Sequence, residues 1–214
     1  MSVILMRLSG AFLLNCELFA LTLLFALPLG LVVSFGSMSR CKPLAGLVKT
    51  FVWIIRGTPL MLQLVVVFFG PYYVFGMNVS NTWRFWAAIV GFSINYAAYF
   101  AEIYRSGIQA IPKGQYEAAE VLGYTKTQTF CKIIFPQMVK HVLPPVTNEI
   151  ITLTKDTSLA FVLAYAEMFT LAKQVAASDA SIAPLFVAGL FYYVFNYVVA
   201  FVMDRLERKL AYYQ

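Results

Sequence analysis

The sequence is poor in charged residues and in the features of soluble enzymes. Only 12% of its 214 residues are charged and 61% are hydrophobic, against about 25% and about 45–50% in ordinary soluble domains. It contains one histidine, His141, and three cysteines, Cys16, Cys41 and Cys131, with no C-x-x-C pair. This pattern argues against a soluble domain, a disulfide framework and a zinc site, and we expect the cysteines to be packing residues.

The sequence also lacks a G-x-x-x-x-G-K-[ST] phosphate loop and an H-E-x-x-H motif. We therefore expect no ATP hydrolysis, no catalytic residue, and no metal or cofactor in this chain. Its net charge of +6 does not indicate a nucleic-acid-binding protein, because the basic residues stand between apolar runs rather than in one patch.

Long apolar runs are what the sequence has in abundance. A membrane span needs about 20 mostly apolar residues, and five segments qualify: about 11–35, 50–76, 84–104, 134–153 and 183–203. Pro136, Pro144 and Pro145 interrupt the fourth segment, and we interpret the following apolar stretch, 159–171, as a broken or re-entrant continuation. The prediction is an all-α membrane protein with five transmembrane helices in a single domain, 1–214.

Basic residues gather on one side of these five spans. Eleven of the sixteen follow the first span, surround the connection between the third and fourth, or close the chain: Arg40, Lys42, Lys49, Arg105, Lys113, Lys126, Lys132, Lys140, Arg205, Arg208 and Lys209. The loop at 70–83 contains no Lys or Arg. Since Lys and Arg accumulate in cytoplasmic loops, we expect the N-terminus outside and the C-terminus in the cytoplasm.

A polar segment, 114–136, lies in the middle of this apolar chain. Residues 115–122 predict a short helix ending at Gly123 in the left-handed conformation, and Thr125 with Gln128 predicts a capping box for a second helix. That second helix should end or kink near Pro136. Eight residues make only about 12 Å of helix, too short to cross a bilayer. Resting on lipid headgroups and docking to another protein explain the first helix equally well.

Polar residues within the apolar runs form helical stripes. The stripes are Arg56, Pro59 and Gln63 in the second run; Asn95, Tyr99 and Glu102 in the third; and Glu149, Thr152 and Asp156 in the fourth. Because intramembrane polar groups usually face protein or water, we expect a polar passage lined by Gln63, Asn95, Tyr99, Glu149, Thr152, Asp156 and Thr157. For Arg56, Glu102 and Lys155 we expect ion-pair or structural roles near helix ends. The helix is expected to break in the stretch Lys155-Asp156-Thr157-Ser158.

The spacing Glu117-Ala118-Ala119, Gly123, Ile133 and Pro136 resembles the EAA loop of ABC-importer permease subunits, with Phe135 where that family usually has Leu. Three further stretches are similar to the polar amino acid importer branch of the family: RGTPLMLQL (56–64), AAYFAEIYRSGIQAIPKGQYEAA (97–119) and TKDTSLA (154–160). The similarity runs through about two thirds of the chain.

The resemblance implies the ABC type I importer permease fold and import of a polar amino acid by alternating access across the cell membrane. It places a coupling helix in the cytoplasmic loop at about 106–133, where Glu117, Ala118, Ala119 and Gly123 would dock on a separate ATPase. The implied partners are two ATPase subunits carrying ATP and Mg, a second permease copy or paralogue, and an extracytoplasmic substrate-binding protein or domain. The residues alone leave two alternatives, a membrane scaffold and an intramembrane enzyme using His141.

Overall fold

Helices follow the apolar runs in the computed structural model, which describes residues 2–78 and 80–210, with side chains from residue 6. The elements are α1 (Ser2–Ser37), α2 (Lys42–Gly57), α3 (Leu60–Phe75), α4 (Asn81–Ala110), α5 (Lys113–Val121), α6 (Lys126–Thr129), a π-helical segment (Phe130–Ile134), α7 (Phe135–Asp156), a 3₁₀ segment (Thr157–Leu163), α8 (Met168–Ser178) and α9 (Ala183–Leu210). The described part of the chain is therefore all-α, as predicted.

The predicted second span, 50–76, is wrong as a single helix. It is divided between α2 and α3, which meet at a bend of 110°. Pro59 has no N–H to continue α2, and a residue before proline favours extended backbone; Thr58 accordingly has φ −116° and ψ 146°. Arg56 and Gln63 therefore lie on different helices, and the predicted stripe through Pro59 does not exist.

Helix α4 is the centre of the bundle and is contacted by α1, α2, α3 and α7. Glycines allow the closest approaches. A Cβ added at Gly30 of α1 would lie 2.8 Å from Phe100 Cβ, and one added at Gly107 of α4 would clash with Val142 Cγ1 on α7. Such small-residue contacts replace the hydrophobic driving force that is absent between helices in lipid. The polar residues of α4 are consequently held at fixed positions against these four neighbours.

Among the described residues, five units have the length to cross a bilayer. Residues Met6–Ser37 and Ala183–Leu210 qualify by length and hydropathy, as do two bent pairs, α2 with α3 and the run Lys126–Leu163 with α8. The fifth unit, α4, is less apolar, but its 30 residues extend about 45 Å. Phe12 and Phe191 contact each other, as do Phe19 and Phe195, with ring centroids 5.5 and 5.2 Å apart, so α1 and α9 run parallel.

The fourth run tolerates its prolines better than the sequence suggested. Pro144 and Pro145 lie inside α7, and Pro136 lies in its first turn. The expected kink near Pro136 takes the form of the π-helical turn, Phe130–Ile134, directly before α7. The expected break after Asp156 is confirmed: the helix tightens to 3₁₀ at Thr157, and α8 follows at a 60° bend. The stretch 159–171 therefore continues the fourth run beyond a bend, as expected.

The cysteines are not all packing residues. Cys16 is half-buried in α1, whereas Cys41 and Cys131 are exposed. Both exposed residues lie in connections between spans, where apolar burial is small, so the expectation of packing roles for Cys41 and Cys131 is wrong.

Candidate functional site

A cavity of about 380 Å³ lies between α4 and α7, beside the end of α2. Predicted residues from three helices meet on its wall: Arg56, Tyr99, Glu102 and Glu149, together with His141. The Arg56 guanidinium lies 5.2 Å from the centroid of the Tyr99 ring, a cation–π distance. Arg56 and Glu149 place opposite charges on the same cavity, as recognition of a zwitterion requires.

The Gln63 side chain of α3 forms hydrogen bonds to the end of α2 across the bend. Its Nε2 donates to the carbonyl oxygens of Ile55 and Thr58 at 2.7 and 3.0 Å. Its Oε1 accepts from Asn95 Nδ2 of α4 at 3.0 Å. Two predicted path residues, Gln63 and Asn95, are therefore paired with each other, and their contact ties the bend to the central helix.

Asp156 lies at the end of α7 and accepts a hydrogen bond from the Tyr96 hydroxyl at 2.7 Å. Tyr96 is 2% exposed, so this bond links α7 to the interior of α4. Asp156 and Glu149 are half-buried and close enough to interact electrostatically. Tyr96 was not predicted from the sequence, although its position one turn before Phe100, on the buried face of α4, was a usable signal.

Three predicted residues close to Asp156 in sequence do not line the α4–α7 cavity. Thr152 is exposed and donates to the Asn148 carbonyl oxygen of its own helix at 2.9 Å. Lys155 is also exposed. Thr157 is fully buried and lies 3.2 Å from Asn15 Nδ2 of α1. Thr157 therefore faces a different polar cluster from its neighbour Asp156.

Glu102 forms an ion pair with Arg105 one turn later on α4. Arg105 Nε donates to Glu102 Oε2 at 3.0 Å, and Arg105 Nη1 donates to Gln109 Oε1 at 2.6 Å. These contacts lie within one helix. Arg56 interacts electrostatically with Glu102, which adds a link to α2 at the cavity mouth.

The polar segment folds as its sequence predicts, with α5 extending one or two residues differently. Gly123 has φ +76°, and the two bonds that close the helix, Gly123 N to Glu120 O and Tyr124 N to Ala119 O, are both 3.0 Å long. This is the Schellman arrangement of a helix end. Thr125 and Gln128 form the predicted capping box.

Helix α5 presents most of its surface to the outside. Glu117, Ala118 and Gly123 are exposed, whereas Ala119 is fully buried. Val121 and Leu122 at its end are 88% and 73% exposed. Partial burial raises the pKa of the Tyr116 phenol. The result is an exposed helix with small residues at Ala118 and Ala119 and an apolar tip, supported through Ala119.

The sequence matches a known family over most of its length. The sequence model of the family described as "Binding-protein-dependent transport system inner membrane component" matches residues 26–212. The arginine transport system permease protein ArtQ of Bacillus subtilis (strain 168) is 38% identical over 188 residues, covering 87% of this chain and 84% of ArtQ. The L-cystine transport system permease protein TcyB of the same organism is 35% identical over 209 residues, covering 96% and 87%.

Solved structures agree with the sequence matches. A chain from the crystal structure of an amino acid ABC transporter with histidines superposes with a TM-score of 0.85 at 30% identity, covering 95% of this chain and 94% of that one. An inward-facing structure of the MetNI methionine ABC transporter gives 0.75 at 19% identity, covering 99% and 97%, which supports the fold alone. This chain, with its α4-centred bundle and exposed helix α5, belongs to the family of binding-protein-dependent transport system inner membrane components.

Proposed function

We propose that this chain is the permease subunit of an ATP-driven importer that moves a polar amino acid into the cytoplasm by alternating access. The observation that carries the substrate class is the α4–α7 cavity, where Arg56 and Glu149 face the same space. Arg56 suits a carboxylate, and Glu149 with Asp156 suits an ammonium or a cationic side chain. Relatives named for transport of arginine and L-cystine support an amino acid as substrate.

The path follows α4 from the cavity toward Asp156. Tyr99 and Glu149 line the cavity itself. The Gln63–Asn95 and Tyr96–Asp156 pairs are internal bonds between the helices beside it. Release of the Tyr96 hydroxyl would free the Asp156 carboxylate for a ligand ammonium. Thr152 contributes to the path by its exposure on α7, and Thr157 contributes indirectly, through the backbone next to Asp156.

Helix α5 is proposed as the coupling helix that docks on the ATPase. Its exposed face at Glu117, Ala118 and Gly123, and the tip at Val121 and Leu122, would enter a groove on that subunit, while buried Ala119 fixes α5 to its own permease. The phosphate loop that this sequence lacks would be supplied by the two ATPase subunits, which carry ATP and Mg. ATP-driven closure of those subunits would then move α5 and rock the attached helices.

The orientation proposed from the basic residues fits the packing. Parallel α1 and α9 bring Arg40 and Lys42 to the same end of the bundle as Arg205 and Arg208. That end would face the cytoplasm, with the N-terminus outside. The assembly would contain a second permease copy or paralogue across the path and would receive substrate from an extracytoplasmic binding protein or domain.

Reconstitution tests this function directly. The permease, its cognate ATPase and its binding protein are placed in proteoliposomes, and ATP hydrolysis is measured with L-arginine, L-histidine, L-cystine and L-glutamine. We expect at least one of these amino acids to stimulate hydrolysis and to accumulate inside. Hydrolysis that no amino acid changes, with no uptake, would favour the scaffold alternative. Chemical conversion of an added amino acid would favour an enzyme.

The Asp156→Asn substitution tests the path. It keeps the shape of the side chain but removes the charge that an ammonium requires, so the KM for uptake should rise about tenfold, or about 1.4 kcal/mol of binding. Asp204→Asn is the matched control, because Asp204 is exposed and pairs with Arg208 near the end of α9. Equal uptake kinetics in both variants would remove Asp156 from the path.

A further inference from the structure

The most deeply buried carboxyl group that the structure describes lies outside the proposed path. Glu167, directly before α8, is 0% exposed. A carboxylate in such a place is costly unless hydrogen bonds replace its water shell. Five hydrogen bonds reach Glu167, all from uncharged donors. An ionised carboxylate, which only accepts, suits this set of donors.

The five bonds connect three helices. Phe169 N and Thr170 N of α8 donate to Glu167 at 2.6 Å each, and Thr170 Oγ1 donates at 2.8 Å. Asn15 of α1 and Tyr192 of α9 donate to Oε2 at 3.3 and 3.1 Å. Glu167 therefore caps α8 and at the same time holds it against α1 and α9.

Asn15 extends this cluster to the segment after α7. Its Oδ1 accepts from Met168 N at 3.0 Å. Its Nδ2 lies 2.8 Å from Tyr192 Oη and 3.2 Å from Thr157 Oγ1. Asn15 and Thr157 are both fully buried. We name the group Asn15, Thr157, Glu167 and Tyr192 the carboxyl cluster.

Two consecutive residues are thus bound to different parts of the bundle. Asp156 accepts from Tyr96 of α4, whereas Thr157 belongs to the carboxyl cluster on α1, α8 and α9. The backbone changes from α to 3₁₀ at this point. Because the regular α-helix ends at Asp156, no further α-helical turn follows to fix the position of this residue. The position of the Asp156 carboxyl group then depends on what holds Thr157.

We propose that Glu167 is a positioning residue, which acts through Asn15 and Thr157 to hold the Asp156 carboxylate at the substrate path. This inference rests on the proposed function, because Asp156 is taken there as a ligand for the amino acid. When Tyr96 releases Asp156, the carboxyl cluster keeps the start of the 3₁₀ segment in place. Asp156 then meets the substrate from a fixed backbone.

The test is a double-mutant cycle on uptake by the reconstituted transporter. The probe is whichever of L-arginine, L-histidine, L-cystine and L-glutamine the wild-type protein takes up fastest. Glu167→Gln preserves size but turns one acceptor oxygen into a donor facing Phe169 N or Thr170 N. We expect KM to rise about fivefold with the maximal rate within twofold. In the Asp156→Asn background the same change should raise KM by less than twofold, since coupled residues are non-additive.

Several controls separate positioning from general damage. Glu207→Gln, the same substitution near the end of α9, should leave KM unchanged. Tyr192→Phe removes one donor to Glu167 and serves if Glu167→Gln does not reach the membrane; it should raise KM about twofold, and only when Asp156 is present. Co-purification of the ATPase should be unchanged in both.

The outcomes distinguish failure of the positioning role from failure of the proposed function. A KM effect of Glu167→Gln or Tyr192→Phe that is equally large with Asn at position 156 would overturn the positioning role and leave only a structural one. An unchanged KM in both variants would do the same. Absence of uptake by the wild-type protein would instead refute the proposed function, so the two failures are distinguishable.

Discussion

Two short polar regions interrupt the apolar helices of this protein, and their surroundings are opposite. The polar segment around α5 has exposed side chains, including Val121 at 88% and Leu122 at 73%. The bend between α7 and α8 has buried ones, with Thr157 and Glu167 at 0%. Both regions depart from regular α-helix, through a left-handed Gly123 in one and through a 3₁₀ segment in the other.

The difference lies in where the polar groups find partners. At the bend, the side chains of Glu167 and Asn15 are satisfied by hydrogen bonds inside the chain. In the polar segment, the Schellman bonds and the capping box satisfy the backbone ends, and Gln115 Oε1 of α5 accepts from Gln137 Nε2 at 3.4 Å. The exposed faces of α5 are free for another protein. A polar stretch in a membrane protein thus indicates either hydrogen bonds inside the chain or a binding surface for another protein. The burial of its side chains distinguishes the two.

The largest expected effect is on binding of the ATPase to the polar segment around α5. Gly123→Leu forces a branched side chain into a backbone with φ +76°, at a cost of about 1–2 kcal/mol, and adds bulk to the proposed docking face. We expect the protein to reach the membrane but to lose its ATPase during affinity purification. The measurement is the ratio of ATPase to permease in the purified complex.

Gly76 provides the matched control for Gly123. It also has a left-handed backbone, with φ +64°, and a Cβ added there would meet nothing within 4 Å. Gly76→Leu therefore imposes the same kind of strain at the loop between α3 and α4. Full retention of the ATPase by the Gly123 variant, or equal loss in both variants, would contradict the docking role.

The next effect tests the contribution of the carboxyl cluster to stability. Asn15→Leu leaves Met168 N without its side-chain acceptor and removes a donor from Glu167, and each buried group left unpaired costs about 1–3 kcal/mol. We expect the apparent melting temperature in detergent to fall by several degrees. Asn148→Leu, an exposed site on α7, is the control and should change it little. If both variants melt alike, the carboxyl cluster contributes nothing to stability.

The smallest effect is expected in the exposed segment. Thr125→Ala removes the cap from Gln128 N, and loss of such a cap costs about 1 kcal/mol. Thr127→Ala, two residues later on the same exposed turn, is the comparison. Melting of the isolated permease should be lowered by the Thr125 change less than by Asn15→Leu. A larger loss than that of Asn15→Leu would reverse the assignment of exposed and buried roles.

The sequence predicted the parts of the fold that local rules decide. Gly123 and the Thr125–Gln128 capping box were predictable because a turn and a cap involve neighbouring residues. The division between α2 and α3 was also local, but the apolar run through Thr58 and Pro59 concealed it. Pro136 lies in the first turn of α7, and Pro144 and Pro145 lie inside it. The sequence predicted that these prolines disrupt the helix more than they do.

The parts that the sequence did not predict are long-range contacts. Asn15 and Glu167 are 152 positions apart, and nothing in either local sequence indicates that they meet. Tyr96 likewise finds Asp156 only once α4 and α7 are packed. The predicted passage included both Asp156 and Thr157, but consecutive residues at a change from α to 3₁₀ geometry point to different neighbours.

Hydrogen–deuterium exchange tests the central claim most directly, because it reports on both polar regions in one experiment. The permease is compared alone and with its cognate ATPase bound. We predict that amides of α5, 113–121, become several-fold slower to exchange when the ATPase binds, whereas amides of the bend, 157–170, are slow in both states. Unchanged exchange in α5 with the ATPase fully bound would contradict the account.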